Sequence, residues 1–98
     1  MPQTPTFLEK VKLALRISSM SFDSQINDLI DAAILDLTKF ADIKTFTTTN
    51  ADALQTNAVI AYVSYNWFKD EKYLTAYNNL KMQMSTSSHY RPEVVEDV

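Results

Sequence analysis

Ser88 beside His89, the aspartates Asp28 and Asp31, and an aromatic run from Tyr62 to Tyr77 are the residues whose types could do chemistry. A serine that gives its proton to a histidine becomes a nucleophile, but neighbours in sequence rarely reach the geometry this needs. His89 is the only histidine and there is no cysteine. No histidine or thiolate set for zinc can therefore be completed, and His89 reads as a surface residue. Asp28 and Asp31 are three apart, which places both carboxylates on one face of a helix. Without a glycine-bearing loop or a histidine partner, a solvated acidic face is the plainer reading than a cation site. Tyr62, Tyr65, Trp67, Phe68, Tyr73 and Tyr77 fit either buried helical stripes or a protein interface. A base-stacking surface would interleave arginines, and the chain has only Arg16 and Arg91. A protein that is not an enzyme, with no cofactor and no metal, is expected.

The elements that must position these residues belong to a small domain. Ninety-eight residues bury only about 60–65% of the unfolded surface, so the core is thin and partners can supply further burial. A hydrophobic content of 46% and a charged content of 21% belong to a folded chain. The net charge of −3, with scattered Lys and Arg, argues against binding through phosphate neutralisation. The complete absence of glycine excludes Gly-rich phosphate loops, EF-hand loops and glycine helix caps. No stretch is apolar over the length of a membrane span, and "MPQTPTFLEK" lacks the regions of a signal peptide. The expectation is a soluble protein that stays where it is made and has no membrane partner.

Hydrophobic periodicity predicts an all-α fold, a compact domain of four helices with short connections. Thr6 and Glu9 have capping-box spacing, and Phe7, Leu8, Val11 and Leu15 recur helically, predicting a first helix over about 6–16. "SSMSFDS" breaks it, with Ser21 or Asp23 placed to cap a second helix over about 23–41. That helix turns Ile26, Leu29, Ile30, Ala33, Leu37 and Phe40 inward, opposite Asp28, Asp31, Lys39 and Asp42. A Thr-rich loop, about 42–50, is expected to be extended by its β-branched residues. Asn50 is then the expected cap of a third helix with the stripe Leu54, Ala58, Ala61, Tyr65 and Phe68. Apolar residues also lie off that stripe, so this helix is expected at the centre or under its neighbours. A fourth helix over about 70–84 repeats Tyr73, Tyr77, Leu80 and Met84. Residues 1–85 form the domain and 86–98 a C-terminal tail.

Eight residues are candidates for a protein interface. Leu35 sits among charges, as either a tolerated exposed residue or a contact for another chain. Phe46 is the one large apolar residue of the Thr-rich stretch after Ile43, and Val63 and Trp67 lie off the stripe of the third helix. In the tail "STSSHYRPEVVEDV", Tyr90, Arg91, Val94 and Val95 make the end more apolar than a disposable terminus requires. Pro92 biases Arg91 away from helix, and the tail is expected to be flexible in the free subunit and ordered on assembly.

"FLEKVKLALRI", a polar turn, and "FDSQINDLIDAAILDLTKF" resemble the opening of the small helical head-tail connector proteins of tailed bacteriophages and prophages. Leu15, Arg16 and Ile17 match that family's Leu-Arg-Ile end of the first helix, and Ile26 to Ile34 its second helix. "LQTNAVIAYVSYNWF" and "DEKYLTAYNNL" are similar to its later helices, so the likeness covers about 6–84. The lack of glycine, and "STSSHY" where a more apolar end is frequent, depart from the family's pattern. The resemblance implies a structural virion assembly protein, made in the bacterial host cytoplasm and placed at the head-tail junction. It also implies a self-assembled ring of about a dozen subunits below the phage portal protein. Such a ring links the DNA-filled head to head-closure or tail-completion proteins, with DNA only as passing cargo. The alternative is a small helical regulatory, DNA-binding or protein-interaction module, in which "RISSMSFDSQINDLIDAAI" would be a helix-turn-helix. That arrangement would present Asp28 and Asp31 where base-reading side chains belong.

Overall fold

Thr6 opens the first helix: its Oγ1 accepts the Glu9 N–H at 3.2 Å. The expected reciprocal bond is replaced by one from the Thr6 hydroxyl to the Glu9 carboxylate. The computed structural model describes residues 6–41, 43–87 and 90. Among them are four α-helices and no strand: α1 (Phe7–Leu15), α2 (Asp23–Leu35), α3 (Ala53–Phe68) and α4 (Glu71–Ser85). The all-α, four-helix fold read from the sequence is the fold observed.

With no glycine to end them, α1 and α3 stop on charged residues in the left-handed region, Arg16 at φ 59° and Lys69 at φ 58°. Each costs about 1 kcal/mol relative to glycine. After Arg16 the Ile17 N–H reaches back to the Lys12 carbonyl at 3.0 Å, which satisfies an end carbonyl as a glycine-terminated helix would. Neither Ser21 nor Asp23 caps α2. A short 3-10 turn, Met20–Phe22, leads directly into it, and Ser19 caps that turn through the Ser21 N–H. Asp23 instead meets Lys12 Nζ at 2.8 Å, tying α1 to α2.

Regular α-helix ends at Leu35 rather than near 41. Asp36–Phe40 form a wider π-helical turn, in which the Ala41 N–H bonds to the Asp36 carbonyl five residues back. The Thr38 hydroxyl donates to the Ile34 carbonyl at 2.8 Å, a back-bond that loosens helical geometry. The Thr-rich loop is then held down by Ile43 and Phe46, both buried. Asn50 does not cap α3; its Oδ1 accepts the Thr47 N–H at 2.7 Å and closes a turn. The cap is Asp52, whose carboxylate accepts the Gln55 N–H while Gln55 Oε1 accepts the Asp52 N–H, each at 2.9 Å.

α3 packs against α1, α2 and α4, which accounts for its apolar residues on nearly every side. The core joins Val11 and Leu15 of α1 to Ile26, Ile30 and Ala33 of α2, with Leu37 from the π-turn. Ile43 and Phe46 of the loop, Ala58, Val59, Ala61 and Val63 of α3, and Tyr77 and Met84 of α4, complete it. The inward stripe of α2 is as expected for its described side chains; that of Phe40, and all of Asp42, lie outside the described residues. On α3, Ala58 and Ala61 are buried but Phe68, the last residue of the expected stripe, is exposed.

Candidate assembly surface

Among the described residues, one end and three helix faces of the bundle carry the exposed large apolar side chains. At one end the α1–α2 turn meets the α3–α4 turn, because the Phe22 and Trp67 rings contact edge to face at 5.4 Å. Phe68 and Tyr73 stack nearby at 5.6 Å. Met20 stands out of this end 81% exposed, and Phe22 and Phe68 are also exposed. Trp67, a candidate from the sequence, is half-buried here and leans on the core. The two left-handed residues, Arg16 and Lys69, flank the same turns.

The opposite end is where the Thr-rich loop, the start of α3 and the chain beyond α4 converge. Tyr90 packs against the core there. Its hydroxyl donates to Asp52 Oδ2 at 2.7 Å, and its carbonyl accepts the Lys44 N–H. The carboxylate that accepts this proton pushes the Tyr90 hydroxyl above its ordinary pKa. A polar recess of about 310 Å³ lies between Lys44, Phe46, Asn50, Gln55 and Tyr90. The described residues of the C-terminal stretch 86–98 carry hydrogen bonds of their own. The Thr86 hydroxyl donates to the Met82 carbonyl, and Tyr90 is held at three points. Ser88, His89, Arg91, Val94 and Val95 lie outside the described residues.

Between the ends, Leu35 on α2 is 49% exposed beside exposed Asp31 and Asp28. Leu13 on α1 is 70% exposed, and Met82 of α4 is also outward. Leu13, Met20 and Met82 were not singled out from the sequence, although the signal was present for Leu13, which lies off the α1 stripe. Two candidates belong elsewhere: Phe46 is 4% exposed and Val63 fully buried. Their burial is complete within the subunit, because the Thr-rich loop folds back on the domain and α3 is enclosed by three helices. Neither offers surface to another chain in this conformation.

The polar contact that joins the π-turn to α4 is structural in kind. Asp36 accepts a hydrogen bond from the Tyr77 hydroxyl and lies 3.3 Å from Lys81 Nζ. Lys81 also stands over the Tyr77 ring at 4.9 Å, and Tyr62 meets that ring edge-on at 5.2 Å. Burial first, and then the bond to Asp36, push the Tyr77 hydroxyl well above its ordinary pKa. The neutral Tyr77 hydroxyl donates its hydrogen bond to Asp36 and so ties α4 to the π-turn. Among the described residues no three His, Cys, Asp or Glu side chains cluster to hold a metal, and no helix is long and apolar enough to cross a membrane.

Compared with known proteins, the chain matches the family model of the phage gp6-like head-tail connector protein over residues 6–97. No curated protein and no solved structure matches it.

Proposed function

The chain belongs to the phage gp6-like head-tail connector family, a family of structural virion proteins, and from that premise we propose how this subunit works. It assembles with further copies into a ring of about a dozen beneath the portal, extends the DNA channel, and provides the platform for head-closure or tail-completion proteins. The observation that supports this most is the placement of Leu13, Met20, Leu35, Phe68 and Met82 in solvent, around a subunit whose interior is already filled. Outward apolar side chains on several faces suit a subunit that finishes its burial against more than one neighbour.

The remaining features fit the same role. The net charge of −3 suits a channel wall past which a polyanion slides without adhering. Exposed Asp28 and Asp31 on α2 repel a phosphate backbone, which tells against reading the first two helices as a base-reading pair. The C-terminal tail 86–98, with Tyr90, Arg91, Val94, Val95 and the acidic Glu93, Glu96 and Asp97, is the segment proposed to order against neighbouring subunits or the portal. Co-purification with the portal protein of the same phage, followed by multi-angle light scattering, tests the proposal. Ring-sized complexes are expected. A protein that stays monomeric at high concentration and ignores that portal refutes it.

A further inference from the structure

α1 and α2 each turn one unpartnered face outward, and the two carry the same order of side chains. Along α1 and the left-handed residue that ends it, the exposed side chains read Glu9, Leu13, Arg16; along α2 and its π-turn they read Asp31, Leu35, Lys39. In both, an acid one turn before the leucine shares its helix face, and an exposed base follows it within four residues, Arg16 at the left-handed end of α1 and Lys39 in the π-turn. The leucines are 70% and 49% exposed. Among the described residues, none of these four charged side chains has an ion-pair partner.

Laid antiparallel, two such faces put acid against base at both ends and leucine against leucine between them; laid parallel, like charges meet. Further charge favours pairing unlike faces. Lys10 beside Leu13 leaves the α1 face net basic, whereas Asp28, one turn before Asp31, leaves the α2 face net acidic. A recess of about 310 Å³ lined by Glu9, Lys12, Leu13 and Ile17 gives an incoming leucine a place beside Leu13.

We infer that the Leu13 face of α1 docks antiparallel on the Leu35 face of α2 in a second copy of this chain, pairing Arg16 with Asp31 and Glu9 with Lys39. Because the two faces differ, each subunit offers one and receives the other. Such a heterologous contact propagates, and closes to a ring when the rotation per subunit allows. The inference rests on the ring reading above and names the faces that build it.

The chain has no cysteine, so disulfide trapping reads the contact directly. Leu13→Cys and Leu35→Cys proteins are prepared separately, mixed under assembly conditions with the portal and oxidised, with Leu13→Cys plus Gln83→Cys as the collision control. Disulfide heterodimers at least about fivefold above either protein alone and above the control are expected. The doubly substituted chain then gives a ladder of linked subunits. If Leu13→Cys alone, or Leu35→Cys alone, links to itself as readily as the mixture, the contact is isologous and the inference fails while self-assembly stands. Ring-sized complexes with cross-linking no higher than the control also overturn the inference alone. Monomers throughout, with the portal present, overturn the ring reading and this inference together. Helical content by circular dichroism checks each variant. A charge swap gives a second readout: Arg16→Glu weakens assembly about two- to fivefold, as expected of an exposed ion pair, and Asp31→Lys in the other subunit restores it. Failure of that rescue, in folded proteins that still assemble, also refutes the pairing.

Discussion

Replacing Tyr77 by Phe removes one hydroxyl and leaves the packing around it intact. The ring is 3% exposed, keeps its edge contact with Tyr62, and stays under Lys81. What disappears is the donor to Asp36, a hydrogen bond to a charged group that is worth about 1.5–3 kcal/mol in general. The Asp36 side chain is 29% exposed and keeps Lys81 Nζ at 3.3 Å, so water and the ammonium recover part of this. A net loss of about 1–2 kcal/mol is expected at pH 7. For a domain with about 5–15 kcal/mol in total, that lowers Tm by roughly 5–12 °C.

The pH dependence carries the sharper signature. The folded state keeps Tyr77 neutral, whereas the unfolded chain ionises a tyrosine near pH 10. The folded pKa is raised, so the contribution is fully present below about pH 10 and is lost as pH rises toward the folded value, by up to about 1.4 kcal/mol per pH unit. The Phe variant lacks this loss, and its deficit should shrink between pH 10 and pH 11. The other four tyrosines are common to both proteins and cancel in the difference. Urea unfolding followed by far-UV circular dichroism at pH 7, 9, 10 and 11 measures it. Equal stabilities at pH 7, or a deficit that stays constant to pH 11, would refute the assignment of a buried neutral donor.

Other substitutions separate core, cap and surface. Leu37→Ala, at a fully buried position, should cost about 2–5 kcal/mol, whereas Leu35→Ala two residues earlier should stay within about 0.5 kcal/mol in the monomer; thermal melts of the two compare them directly. Lys69→Gly relieves a left-handed residue at the end of α3 and should stabilise by about 0.5–1 kcal/mol, seen as a higher urea midpoint. Asp52→Ala removes both the α3 cap and the acceptor for Tyr90. A loss of about 1–2 kcal/mol is expected, with faster hydrogen exchange at the first turn of α3 and at the Lys44 amide.

The sequence by itself determined the four helices, because helical periodicity is a local property: Ile26, Ile30, Ala33 and Leu37 return every three or four residues whatever packs on them. It also determined that α3 is enclosed, since residues such as Val59 and Val63 lie off the main stripe and must be covered by other elements. The family likeness was legible for the same reason, through the order of stripes, turns and caps. Helix ends were less legible where side chains compete for the same backbone groups. Asn50 and Asp52 both have capping chemistry, and only the chain path of the Thr47–Asn50 turn gave the cap to Asp52.

What only the tertiary structure decided was the fate of apolar residues whose local pattern left it open. Met20 and Met82 have the same chemistry as Met84, yet they are exposed and it is buried, because exposure depends on which neighbouring helix covers each face. The π-turn after Leu35 was equally hidden, because it is fixed by contacts distant in sequence: Asp36 is held by Tyr77 and Lys81 more than forty residues away. Phe46 and Val63, interface candidates in the sequence, are likewise buried within the subunit by packing that the local pattern does not show. Long-range packing spends some apolar residues inside the subunit and leaves the rest for other chains.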